Sequence, residues 1–143
     1  MAFLPGPGQP GEHKTASLAA ASAVGLSTGA AKTVTGVSLA LAPGIWEIFG
    51  VINFQFAANT SYTILQGGIG TVADTLSANE NETFGLCMPA TVPTGSLDLT
   101  FAVPSIYALV RSDAATTYQL VAKATFTVNT CKAYGAIRAR RIR

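Results

Sequence analysis

Thr117-Tyr-Gln-Leu-Val-Ala-Lys-Ala-Thr-Phe-Thr-Val128 alternates over twelve residues. Tyr118, Leu120, Ala122, Ala124, Phe126 and Val128 fall on one side, and Gln119, Lys123, Thr125 and Thr127 on the other. A period of two is the signature of a strand with one buried face. Val121 breaks the pattern as an apolar residue on the polar side. The same period recurs upstream. Ile45–Ala57, IWEIFGVINFQFA, puts Trp46, Ile48, Ile52, Phe54 and Phe56 on one face, with Glu47, Asn53 and Gln55 opposite. Gly50 in its interior predicts a bulge or a close backbone approach.

Further strands are expected at Thr33–Leu41, Ser61–Ile69, Thr83–Met88, Leu97–Val103, Ile106–Arg111 and Tyr134–Ile142. Pro89 is expected to end one strand and Pro104 to break another, because proline donates no ladder hydrogen bond. Turns at Ala42-Pro-Gly44, Val92-Pro-Thr-Gly95 and Asp113–Thr116 separate these runs. Helix signal is confined to the Ala-rich stretch 18–24, which has no charged helix formers. About eight short strands with turns between them predict an all-β fold, a two-sheet β-sandwich or a jelly roll. Periodicity leaves the strand order open.

The chain has 143 residues, the size of one domain. Residues 1–14, MAFLPGPGQPGEHK, hold three prolines and three glycines and read as an extended N-terminal arm, leaving 15–143 as the sandwich. Met1, Phe3 and Leu4 make the arm's tip apolar and are candidate contact residues. Charged residues are 11% of the chain, against about 25% in ordinary domains. A surface so poor in charge fits a protein partly covered by other copies or by a partner. No apolar run is long enough to span a membrane as a helix. The Ala/Ser-rich stretch Ala16–Leu26 is a poor match to a secretory leader.

Charge is concentrated at the C-terminus. Arg138, Arg140, Arg141 and Arg143 lie within the last six residues. The rest has five Lys or Arg against seven Asp or Glu, a net charge of −2, which the arginines raise to +2. On a terminal strand, Arg138 and Arg140 share one face while Arg141 and Arg143 point the other way. Four arginines on one strand are too few phosphate contacts for firm nucleic-acid binding. They fit better as the guard of an exposed sheet edge, or as bidentate partners for carboxylates on a neighbouring protein.

Little in the sequence points to catalysis. His13 is the single histidine and lies in the arm, without a fixed partner. Cys87 and Cys131 have no metal-ligand spacing and read as free, partly buried thiols. Asp74, Glu80 and Glu82 share the polar loop 70–82, which reads as a solvated loop rather than a catalytic pair or a cation site. The expectation is a protein with no cofactor and no metal that is not an enzyme.

Three segments carry a resemblance. Leu26–Leu39, LSTGAAKTVTGVSL, followed by Pro43–Gly50, PGIWEIFG, resembles a module of tailed-bacteriophage virion proteins that reads roughly LTTGTAxNVTSISLxxGDWDVxG. Thr117–Val128 and Ala133–Arg143, AYGAIRARRIR, are similar to its later strands, so the match spans about residues 24–143. Ile45-Trp46-Glu47 stands where the module usually has Asp-Trp-Asp. The resemblance implies a jelly roll that works as a head decoration (cement) protein or as a terminal domain of a tail fibre. A decoration protein is made in the bacterial host cytoplasm, forms a dimer or trimer, and binds the major capsid protein on the outer capsid surface. A tail-fibre or receptor-binding module would instead recognise a host glycan or protein. A single domain behind a short arm suits decoration better.

Overall fold

A computed structural model describes residues 6–79, 82–94 and 99–143. Among the described residues nine strands form two antiparallel sheets: β1 (His13–Leu18), β2 (Val24–Gly25), β3 (Ala31–Leu41), β4 (Gly44–Phe56), β5 (Ser61–Gly70), β6 (Thr83–Thr91), β7 (Leu99–Ser112), β8 (Thr116–Thr127) and β9 (Cys131–Arg141). The first sheet runs β1-β9-β4-β7, with β2 also on β9, and the second runs β3-β8-β5-β6. The pairs are nested along the chain. β5–β6 lies inside β4–β7, that pair inside β3–β8, and all three inside β1–β9. A nested hairpin rolled into two sheets is a jelly roll, a form of the two-sheet β-sandwich expected from the alternation.

Alternation decides what is buried. On β4, Trp46, Ile48, Ile52, Phe54 and Phe56 are completely buried, and on β8 so are Leu120, Ala122 and Ala124. Aromatic rings fill one end of the core: Phe56 stacks on Tyr62 at 4.4 Å between centroids, and Phe101 tilts onto Tyr62 at 5.5 Å. Burial pushes the Tyr62 hydroxyl above the usual phenol range. Gly50 lies where β4 crosses the opposite sheet, and a Cβ there would come within 2.8 Å of Leu120 Cδ1. It also adjoins a bulge, as its position predicts. A Cβ on Gly135 of β9 would collide with the Val51 carbonyl of the neighbouring β4, so only glycine fits at that point of the ladder.

Several expectations are corrected. β6 continues through Pro89, and β7 runs unbroken through Pro104. Both are edge strands, and each proline falls in a two-against-one bulge. Met88 and Pro89 lie opposite Thr63, and Pro104 and Ser105 lie opposite Val51. A bulge on an edge is where a missing N–H costs no ladder bond. Val128 lies beyond β8, with a positive φ of 79°, and is exposed rather than in the core. The Ala-rich stretch forms a single 3-10 turn, Ala20–Ser22. His13 and Lys14 belong to β1 rather than to an arm. Cys131 is buried, its thiol pushed up to about 12, whereas Cys87 is exposed.

Val121 is fully buried although it faces away from the core. It pairs with Gly68, over which Leu76 of the loop after β5 is laid, with its Cδ2 2.9 Å from where a Cβ would stand on Gly68. Asp74 latches that loop to β3. Its carboxylate accepts the Thr33 amide at 2.7 Å and Lys32 Nζ at 3.3 Å, and its own amide donates to Thr33 Oγ1. The Thr33 backbone hydrogen bond, then Lys32, hold the Asp74 carboxyl below its ordinary range. A depressed pKa means the latch is complete above the carboxyl's ordinary pKa and is lost as pH falls through the lower folded value. Hydrogen exchange should show the Thr33 and Asp74 amides losing protection on acidification before the core strands do. Asp74→Ala should show the same loss at neutral pH, with core protection retained.

Candidate interaction face

The structure moves the C-terminal arginines away from any sheet edge. β9 is paired on both sides, to β1 with Arg138 opposite Thr15, and to β4 with Arg138 opposite Phe49. The reading of these residues as edge guards is therefore overturned, because a strand with two neighbours has no free backbone to protect. Met1, Phe3 and Leu4 lie outside the described residues.

The four arginines have separate surroundings. Arg138 and Arg140 point outward from the middle of the five-stranded sheet and are exposed. Arg140 Nη2 pairs with Glu47 Oε2 at 3.1 Å across β4. Arg141 continues the inward row of β9, and only 13% of its side chain is exposed, against 52% for Arg140. Arg141 Nη2 donates to the Pro43 carbonyl at 2.6 Å, its guanidinium carbon is 5.5 Å from the centre of the Trp46 ring, and its Nη1 is 3.8 Å from Glu12 Oε2. Arg143 is exposed, and its backbone carbonyl accepts from Ile45.

Glu12 is the anchor that sequence reasoning missed. It is buried, accepts the Gly8 amide at 2.7 Å, and lies between Arg141 and Lys14. Its carbonyl accepts the Arg141 amide, and the Gly11 amide donates to the Arg141 carbonyl. Lys14 Nζ donates to the Ala40 carbonyl and stands 6.0 Å from the Trp46 ring. Two cations thus flank one buried indole, with a single carboxylate to balance them. This clasp joins residues 6–12 to the end of β9, so Arg141 stabilises the fold and is not free for a partner.

The outward side of the sheet holds an apolar patch. Phe49 and Tyr107 pair across β4 and β7, with ring centroids 5.1 Å apart and tilted by 57°. They are 38% and 44% exposed, and the neighbouring Leu109 is 61% exposed. Next to them, between β9 and β4, lies a groove of about 580 Å³ lined by Glu47, Phe49, Val51, Arg138 and Arg140, with His13 at its rim. The signal was present in the sequence. Phe49 and Val51 occupy the polar side of an alternating strand, where nothing in the core requires them.

The opposite sheet differs. Its outward positions include Ser38, Gln119, Lys123 and Thr125, and the loop after β5 covers part of it. In that loop Asp74 binds Lys32 and Thr33, while Glu82 accepts from Ser77, so the two carboxylates serve different partners. Glu80 lies outside the described residues. Among the described residues no three His, Cys, Asp or Glu side chains gather as a metal site would require.

No protein-family model and no curated protein matches this chain. Among solved structures, one of infectious bursal disease virus, Gx strain, aligns with 99% of the chain at 13% identity and a TM-score of 0.44. The chain spans 36% of the length of that one. A likeness this distant carries no functional conclusion.

The separate settings of the arginines predict separate outcomes. Arg141→Ala should lower stability by about 2 kcal/mol, through loss of a largely buried ion pair and its contact with Trp46. Arg140→Ala, which removes an exposed pair, should stay within about 0.5 kcal/mol of wild type. Denaturant unfolding of the two single variants checks both values.

Proposed function

We propose that this chain is a structural virion protein that decorates an assembled capsid, binding across joints between major capsid protein subunits on the outer surface and stabilising the closed shell. The observation that carries this reading is the asymmetry of the sandwich. One outer face is partly covered by the protein's own loop. The other presents Phe49, Tyr107 and Leu109 beside two outward arginines. Clustered exposed aromatics next to arginine are the composition of a protein-binding surface. The resemblance to phage virion jelly rolls points the same way.

The physical role follows from linkage. A ligand that binds the closed lattice but not free subunits stabilises the lattice by mass action. Copies that associate as a dimer or trimer would engage several subunits at once and gain avidity without any new contact. The protein itself contributes a rigid, pre-ordered face, so little conformational entropy is lost on docking.

Copy number in purified virions, measured by quantitative densitometry against the major capsid protein, tests this reading. A copy number comparable to that of the major capsid protein is expected. A small multiple of the tail's symmetry would instead assign the chain to a tail fibre, where the same aromatic face would serve host recognition.

A further inference from the structure

The groove on the outward face has one apolar wall and one cationic wall. Phe49 and Val51 of β4 form the first, continued by Tyr107 on β7. Arg138 and Arg140 of β9 form the second. Arg140 is engaged by Glu47 at 3.1 Å, while Arg138 stands exposed directly opposite Phe49 in register. Lys132 adds positive charge at one end of the same face, while Arg111 at the other end is paired with Asp113 at 3.1 Å. Glu47 is the sole carboxylate at the outward strand positions among the described residues of this sheet, and Glu82 of the loop after β5 flanks the Tyr107–Leu109 end of the patch, outside the groove.

We infer that this groove receives an aspartate or glutamate side chain from a neighbouring protein of the shell, with Arg138 as its bidentate partner and Phe49, Tyr107 and Leu109 covered alongside; this rests on the shell-binding reading above. A guanidinium holds a carboxylate through two parallel N–H···O bonds. Covering the adjacent aromatic pair would exclude water and strengthen that contact. Charge selects among occupants. A second copy docked face to face would bring two cationic columns together. A nucleic acid needs many phosphate contacts, and it would meet the Glu47 carboxylate in the wall of the groove. An acidic, partly apolar protein surface satisfies both walls. In this arrangement Glu47 competes with the incoming carboxylate for Arg140, so it limits affinity and sets how acidic the partner must be.

The test is co-sedimentation of purified protein with shells that lack it, at low and at raised salt. Arg138→Glu should weaken binding about tenfold or more, because it places like charges together. Arg138→Lys should weaken it less, by keeping the charge and losing the fork. Glu47→Gln should tighten binding by about threefold, with a steeper salt dependence, because it frees Arg140. A side chain with a purely structural role would not produce that gain. If wild type binds and Arg138→Glu binds equally well, the inference is overturned and the shell-binding reading stands. The same holds if Glu47→Gln weakens binding while Arg138→Glu strengthens it. If wild type does not bind shells at any concentration, both are overturned. Thermal unfolding of each variant checks the fold, and Arg138→Gln repeats the test without a reversed charge.

Discussion

The pairing of the first long-range strand with the last, β1 against β9, is the constraint on which the rest depends. It forces the two ends of the described chain together and places β9 inside a sheet rather than at its margin. It also explains why one strand carries arginines with opposite duties. On an interior strand, outward side chains form the middle of a face and inward ones meet the core. Arg138 and Arg140 are displayed, and Arg141 is drawn under Trp46 and neutralised by Glu12. A non-local closure of this kind is completed late and slowly in folding, since loop-closure entropy is lost before the contacts form. The Glu12–Arg141 clasp adds ionic, indole and backbone contacts at the point where the two ends meet.

The two outer faces then follow different rules. Over the second sheet, glycine at 68 and the apolar Val121 leave a shallow dry patch that Leu76 fills. An apolar residue on an outward position is satisfied there by the protein's own loop, and Asp74 fixes the loop in place. Over the first sheet, Phe49, Tyr107 and Leu109 have the same apolar character but stay exposed, with Asn79 and Glu82 flanking only the Tyr107–Leu109 end. The contrast gives the aromatic patch its meaning. The molecule covers one apolar outer patch with its own chain and leaves the other open beside a row of cations.

The strands and their buried faces were legible because burial imposes period two on the sequence, as on β4 from Trp46 to Phe56 and on β8 from Tyr118 to Phe126. What was not legible depends on neighbours that periodicity does not encode. Pro89 and Pro104 read as strand breakers, yet each lies in a bulge on an edge strand, and edge position is set by sheet order. The C-terminal arginines read as an edge for the same reason. Val128 continues the alternation by one residue, but the chain has already turned through a positive φ. Glu12 sits in a Pro/Gly-rich stretch whose composition gives no hint that Arg141, far along the chain, closes over it. Of the candidate site, the arginine concentration was visible and Phe49 was overlooked. An alternating strand draws attention to its buried face, and the informative residue was the apolar one on the other side.

Sheet edges and sheet faces offer different kinds of association, and this fold favours the face. Among the described residues five strands have an open edge, of which β2 is only two residues long. β6 and β7 carry proline in a bulge, β3 is irregular between Thr33 and Ser38 around Gly36 at a φ of 85°, and β1 has six residues and is tied to β3 by Lys14. Each feature obstructs the continuous ladder that another strand would need. Strand addition recognises mainly backbone and is indiscriminate. A face recognises side chains. With its edges blunted and one face partly covered, the molecule leaves the outward side of the five-stranded sheet as the surface on which the proposed docking rests, where shape, apolar area and charge would jointly specify a partner.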